Sequence, residues 1–372
     1  MAEERKLKLC FLASIEDNHT RKWIKYFVGQ GHEIHWISLP SKHIDEVRSE
    51  NVKIYLIKDF HSKPLDVIFN WLFVRRLIRK INPDFLHAHY VGVNGILGAL
   101  SGFHPFVLTA YGSDILISPK SMAARNFVKF ALKSADLITC DGENSVKAMT
   151  DLGANSNKIK LIYFGVDAKK FCPGKRDELL ERKLGVANHP VVISLRSFEP
   201  VYNIETLIKA IPLVLREVPE AKFIVAGKGS QEERIKNMSK SLEVAQSIIF
   251  PGWISAEELP RYLRTADVYV STSLSDGGIS MSTSEAMVCG LPAVVTDFGD
   301  NKKWIQDGEN GFIFPMKDSK VLAEKIVCLL KDKSCREKFG RISRQVIESR
   351  NNYYKEMAKM EEIYNNFNNK QL

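Results

Sequence analysis

Residues 273–297, SLSDGGISMSTSEAMVCGLPAVVTD, set Gly277, Gly278, Ile279, Ser280, Ser282 and Ser284 just ahead of Glu285, between two apolar strand-like runs. Small residues at a helix start let an anion approach exposed backbone N–H groups, so this segment could receive a phosphate. Three other segments stand where apolar runs end. Arg196 in SLRSFEPVYN follows VVISL, and a planar guanidinium there suits a diphosphate. Gly227 and Gly229 in AGKGS bracket a sharp exit from a strand-like run, and Trp253 and Ile254 in FPGWIS could meet a flat base. Singly, each has a plainer reading: a surface ion pair, an ordinary strand-to-helix turn, a packed aromatic.

Such residues need a scaffold that brings strand ends together. Strand-like runs at 7–13, 33–38, 52–57, 84–88, 105–109, 136–140 and 159–162 alternate with helical patterns at 19–30, 63–82, 93–102, 120–133 and 142–152. The scheme repeats with strands at 191–195, 222–227, 247–250, 267–271, 292–296 and 311–314 and helices at 203–217, 230–242, 255–265 and 281–289. This alternation predicts α/β architecture, with parallel sheets covered by helices on both faces. Two Rossmann-like domains follow, 1–170 and 171–350, joined within YFGVDAKKFCPGKRD. A Tyr-rich helix at 351–368 is expected to pack back on the first domain. Ligands bind beyond the carboxyl ends of such strands, so the two domains are expected to face a central cleft.

At 372 residues, 45% apolar and 26% charged, the chain has the composition of a soluble globular protein of two domains. No apolar run reaches the roughly 20 residues that span a bilayer, and no secretory segment follows Met1, which predicts a cytoplasmic protein. The six cysteines form no C-x-x-C pair and read as reduced packing thiols. The net charge of +9 falls mostly before residue 173, in WLFVRRLIRKINP (71–83) and SPKSMAARNFVKFALKSAD (118–136). In the latter, Arg125, Lys129 and Lys133 are spaced four apart with Phe127, Val128, Phe130, Ala131 and Leu132 among them. Two readings stay open: a dock for an anionic membrane, or a solvated helix face with Phe127 and Phe130 buried. No nucleic-acid module is recognisable.

Taken as a set, in this order, the motifs resemble the family 4 glycosyltransferases, retaining enzymes of GT-B fold that use a nucleotide sugar. The resemblance lies in RSFEP, VAGKG, IIFPGWISAEELPRYLRTADVYVSTS, SEAMVCGLPAVV and DGENGFIFP, with first-half echoes in GHEIHWIS, PDFLHAHY, VLTAYGSD and GVDAKKFCP. It implies a UDP- or GDP-sugar donor bound by the second domain, and a glycan, lipid-linked or small-molecule acceptor bound by the first. It implies no cofactor and no metal, in keeping with the absence of a clustered D-x-D or His/Cys set. Arg196 would contact the donor diphosphate and Glu285 the ribose hydroxyls. Gly227, Gly229, Trp253, Ile254, Gly278, Ile279, Ser280 and Ser282 would line the donor.

Three positions depart from the family pattern. The acid expected eight residues before Glu285 is Gly277, with Asp276 one step further out as the sugar contact. The Lys expected five residues after Arg196 is replaced by Val201 and Tyr202, with Lys302 or Lys303 as substitutes. The family's His is Tyr111, leaving His89 as the catalytic imidazole and His19, Tyr111, Ser113 and Asp114 on the acceptor side. A catalytically weak nucleotide-sugar-binding homologue and a GT-B-fold sugar-nucleotide epimerase are the alternatives.

Overall fold

Short β-branched runs separated by helices can pair only in parallel, and every named strand pair in the computed structural model does so. Residues 5–58, 64–117 and 122–369 are described. The first sheet comprises β1 (Lys8–Leu12), β2 (Glu33–Ser38), β3 (Val52–Leu56), β4 (Phe85–His89), β5 (Phe106–Ala110), β6 (Leu137–Cys140) and β7 (Ile159–Leu161), in the order β3-β2-β1-β4-β5-β6-β7. The second comprises β8 (Val191–Ser194), β9 (Lys222–Val225), β10 (Ile248–Ile249), β11 (Val268–Ser271), β12 (Ala293–Thr296) and β13 (Gly311–Phe314), in the order β10-β9-β8-β11-β12-β13.

In both sheets the strand order reverses once, between β1 and β4 and between β8 and β11. At such a switch point the flanking connections diverge and open a crevice at the carboxyl ends. Arg196 follows β8, and the Ser273–Ser280 loop with the helix it opens follows β11; Asp17 and His19 follow β1 and His89 ends β4. The candidate residues therefore gather where the topology leaves room for a ligand. Helices on both sheet faces bury the central strands β4, β5, β8 and β11 wholly.

The chain divides into two units, Met1–Phe164 with Glu356–Leu372, and Gly165–Lys355. The boundary lies ahead of residue 170 because the segment after Phe164 is stitched into the second unit. Val166 N–H donates to Asn351 O (2.8 Å) and Tyr353 N–H donates to Val166 O (3.1 Å). Gly165 permits that approach: at φ +72, a Cβ there would stand 2.3 Å from Tyr353 Cα. The C-terminal helix Tyr353–Asn369 belongs to the first unit from Glu356 onward. Its Tyr364 is fully buried against Phe27, Phe85 and His87, and Glu361 accepts from Tyr26 Oη at 2.9 Å. All six cysteines are free. No helix among the described residues is long and apolar enough to cross a membrane.

Candidate active site

In the second unit the loops after four adjacent strands are tied to one another. Arg196, buried beyond the end of β8, donates through Nη2 to Asp276 Oδ1 and through Nη1 to Ser282 Oγ at 3.3 Å. Its guanidinium lies 4.3 Å from the centre of the Tyr202 ring. Burial works against the charge, but Asp276, with Tyr269 and Tyr202, outweighs it and raises the pKa above its ordinary value. Ser282 also meets Tyr269 Oη at 2.8 Å, which fixes its hydroxyl. Gly227 passes so close to Arg196 that a Cβ would fall 2.4 Å from the Arg196 carbonyl oxygen, and Gly227 N–H donates to Gly252 O at 2.9 Å. Gly229 is as tight against Phe198, where a Cβ would fall 2.6 Å from the carbonyl. These two glycines are required by close backbone approach.

Ser280 caps the helix Met281–Val288, accepting from Thr283 N–H at 3.3 Å. Gly278, at φ +112, turns the chain into that helix, and Ile279 is buried behind it. Glu285 is buried on the same helix, one turn beyond the cap. Trp253 is exposed and Ile254 half-buried, directly after the Gly252 that holds Gly227. Trp253 is therefore not a core aromatic.

Two expectations need adjustment. Asp276 engages Arg196 rather than standing clear for a sugar, so the displaced acid and the buried cation form one unit. Lys302 and Lys303 are committed to neighbours, Asp297 at 2.8 Å and Asp300 at 3.1 Å, and neither is a spare cation. Val201 stands where the family sets a lysine, and its neighbour Tyr202 stacks on Arg196.

The first unit holds a second polar cluster at its own switch point. Asp17 caps the helix Asn18–Gly29, and its Oδ2 accepts from the Thr20 hydroxyl (2.6 Å), Thr20 N–H (2.7 Å) and Tyr111 Oη (2.6 Å). Burial opposes the Asp17 charge, yet His19 and these hydrogen bonds hold its pKa below the usual carboxylate value. Both hydroxyl protons thus go to Asp17. His89 Nδ1, 3.0 Å from Thr20 Oγ1 and 2.9 Å from Tyr111 Oη, must then be the donor of its tautomer. Its Nε2 carries the lone pair, buried and without a hydrogen-bond partner among the described residues.

Burial pushes the His89 pKa down to about 3 and that of His19 to about 4. His89 is packed against Trp23, Phe11 and His87, so at neutral pH it is an uncharged, weakly basic ring that orients Tyr111 and Thr20. His19 stacks on Phe164 with ring centres 4.1 Å apart. Buried Asp114 accepts from Val91 N–H (2.8 Å) and Tyr111 N–H (3.0 Å), clamping the loops after β4 and β5, and burial raises its pKa to about 6. Ser113 is exposed beside Tyr90, which is held at φ +76. Sequence reasoning missed Asp17, Thr20 and Tyr269, and noted Tyr202 only as standing in the region of the expected lysine. Only Asp17 carried a readable signal, a helix-cap residue between a strand and a helical pattern.

Two parallel-sheet units, with loops suited to an anion at one switch point, are the architecture of GT-B glycosyltransferases. Residues 175–346 match the family model described as "Glycosyl transferases group 1", and residues 8–142 match "Glycosyl transferase 4-like". Both halves thus match glycosyl transferase families, and the chain is a glycosyltransferase enzyme. It is 23% identical over 352 residues to N-acetyl-alpha-D-glucosaminyl L-malate synthase of Bacillus anthracis, covering 91% of each chain. It is 25% identical over 294 residues to UDP-Gal:alpha-D-GlcNAc-diphosphoundecaprenol alpha-1,3-galactosyltransferase of Escherichia coli, covering 75% of this chain and 73% of the relative. Among solved structures, Anabaena HepE in complex with UDP-glucose superposes with a TM-score of 0.83 at 20% identity, covering 97% of this chain and 100% of that one.

Proposed function

We propose that this protein is a retaining, metal-independent glycosyltransferase that moves a sugar from a UDP-sugar, with GDP-sugar the alternative, to a hydroxyl of a lipid-linked acceptor. Glycan and small-molecule acceptors are the other classes within the reading, and the setting is the cytoplasmic face of the membrane, reached by peripheral contact. The observation that carries it is the buried Arg196, held beside the small-residue loop 278–284 and the capped helix that bears Glu285. Arg196 and the first amides of that helix would receive the diphosphate, Glu285 the ribose hydroxyls, and the loop before Trp253 and Ile254 the base. The UDP-glucose in the HepE complex and the UDP-Gal in the name of the E. coli relative support a uridine donor. The diphosphoundecaprenol in that same name supports a lipid-linked acceptor.

The chemistry asked of these residues is modest. The bond from the anomeric carbon to the diphosphate oxygen breaks, and the acceptor oxygen bonds to the same face of that carbon. The acceptor proton passes to the departing diphosphate oxygen, so no protein nucleophile is consumed. Charge grows on the leaving diphosphate, and a preorganised guanidinium with aligned amides stabilises it. The Asp17–Thr20–Tyr111–His89 cluster supports the first unit as the acceptor side, where fixed hydroxyls would orient a polar group.

A thermal-shift screen against UDP-, GDP- and ADP-sugars tests the donor. At a hundred times Kd, a bound donor stabilises the fold by about 2.7 kcal/mol. The proposal expects one nucleotide class to stand out, slow hydrolysis of that sugar nucleotide, and undiminished turnover in excess EDTA. Loss of turnover in EDTA that Mn²⁺ restores would replace the amide-and-arginine scheme with a metal bridge.

A further inference from the structure

The basic segments of the first unit acquire a clear meaning from their exposure. Phe127 and Phe130 are 54% and 41% exposed, while Val128, Ala131 and Leu132 on the opposite side of the helix Met122–Ser134 enter the core. Met122, at the same helix's start, is 82% exposed. Residues 118–121, including Lys120, lie outside the described residues.

A second helix repeats the arrangement. In Pro64–Ile81, Val74, Ile78 and Ile81 are buried, whereas Phe69, Leu72, Phe73, Arg76 and Lys80 recur at helical spacing on the solvent side. Phe69 alone is 64% exposed. Both helices pack against the same neighbour, Val93–Ser101, whose first residue, Val93, is also exposed. The two faces carry Arg76, Arg79, Lys80, Arg125, Lys129 and Lys133, and none of the six joins an ion pair among the described residues. Helices Met122–Ser134 and Val93–Ser101 contain no acidic residue at all.

Aromatic side chains turned to solvent on helices that are anchored by a proper apolar stripe are not slack packing. Interleaved with uncompensated cations, they match the amphipathic pattern that settles into a lipid headgroup layer. We propose that helices 64–81 and 122–134 form a peripheral docking surface for an anionic lipid bilayer. The cations meet lipid phosphates, and Phe69, Phe73, Phe127 and Phe130 enter the headgroup–acyl boundary. The charge complementarity selects a bilayer over a second copy of this chain, whose face would carry the same positive sign. The large apolar component disfavours nucleic acid. The inference deepens the lipid-linked acceptor reading and rests on it for its purpose. Its test uses no donor or acceptor, so either can fail without the other.

Sedimentation with vesicles of equal parts phosphatidylglycerol and phosphatidylcholine, against pure phosphatidylcholine, measures the surface directly. The full chain should bind the anionic vesicles at low salt, lose at least tenfold in affinity at about 0.5 M salt, and bind neutral vesicles little. Arg125→Glu with Lys129→Glu and Lys133→Glu, and separately Arg76→Glu with Arg79→Glu and Lys80→Glu, should each weaken binding at least tenfold. Phe73→Ser with Phe127→Ser should remove the part that survives high salt. All these side chains are solvent-facing, and an unchanged melting temperature certifies each fold. Wild type remaining in the supernatant with anionic vesicles at low salt overturns the proposal. So does equal binding by wild type and both charge-reversed variants. Self-association that both Phe changes abolish, without vesicle binding, would assign the face to a second copy.

Discussion

Replacing Asp276 with Asn separates two roles that the family pattern merges. Asp276 holds Arg196 Nη2, and both side chains are largely buried, so the pair is little screened. A donor diphosphate that seeks Arg196 must share or displace that carboxylate. Two unit charges about 4 Å apart attract by about 1 kcal/mol in water and about 4 kcal/mol at an effective dielectric near 20. The Asn variant keeps a hydrogen bond to the guanidinium but loses the attraction between the two charges, so the grip on Arg196 weakens by roughly 1–2 kcal/mol, the lower half of that range. The diphosphate then gains what Asp276 no longer holds, about five- to thirtyfold in affinity, since 1.4 kcal/mol is tenfold.

Titration calorimetry with UDP, on wild type and Asp276→Asn, reads this directly. The free variant should also melt lower, because Arg196 loses its counter-ion, and saturating UDP should close much of that gap. An affinity within twofold of wild type would refute the displacement argument. If turnover also collapsed in that case, Asp276 would be a sugar contact that leaves Arg196 to the diphosphate unopposed.

Glu285→Ala should weaken UDP binding by about 1.5–3 kcal/mol, the range for a hydrogen bond to a charged group, and calorimetry showing no change would remove Glu285 from the nucleoside site. Val201→Lys puts back the cation that the family sets five residues after the arginine; a several-fold rise in kcat/KM for the donor is expected, and a fall would show that the Tyr202 stack on Arg196 is itself needed. The first unit should lose stability in acid. His19, His87 and His89 have folded pKa values below the ordinary 6.5, so the stability tied to their neutral forms is complete above pH 6.5 and drains as pH falls toward 4 and below. Each contributes a slope of about 1.4 kcal/mol per pH unit in that window, and urea unfolding of His89→Gln should show a shallower slope than wild type. Equal slopes would mean that His89 is not buried neutral.

The architecture was legible because its signals are local. β-branched runs with helical patterns between them dictate parallel pairing, and strand ends mark the switch points, so Arg196, Gly227, Gly229 and the 278–284 loop could be placed without coordinates. What sequence could not supply was the direction of side chains on loops. Whether Asp276 reaches a sugar or Arg196 depends on the path through Gly277 and Gly278, two residues with wide backbone freedom. Tyr202 lay six residues from Arg196 with no pattern to announce a stack. In Met122–Ser134, apolar residues outnumber the positions of one buried stripe, so periodicity alone could not say which of Phe127, Val128, Phe130, Ala131 and Leu132 would face outward. The unit boundary was displaced for a similar reason. Gly165 and Val166 pair with a segment nearly two hundred residues away, which no local signal records.

The departures from the family pattern are coupled through one side chain. Without a lysine at 201, Arg196 is left to carry the positive charge of these loops, and a buried cation with no counter-ion is costly. Asp276, one residue off the usual acidic position, supplies that counter-ion, and Tyr202 covers the guanidinium face with its ring. The missing lysine, the shifted acid and the aromatic neighbour thus describe one rearrangement, centred on Arg196. Its consequence is that the charge of Arg196 is balanced by Asp276. A diphosphate that displaced Asp276 would bring more negative charge to the guanidinium than the carboxylate it replaced, which would favour it over a lone carboxylate or a neutral sugar.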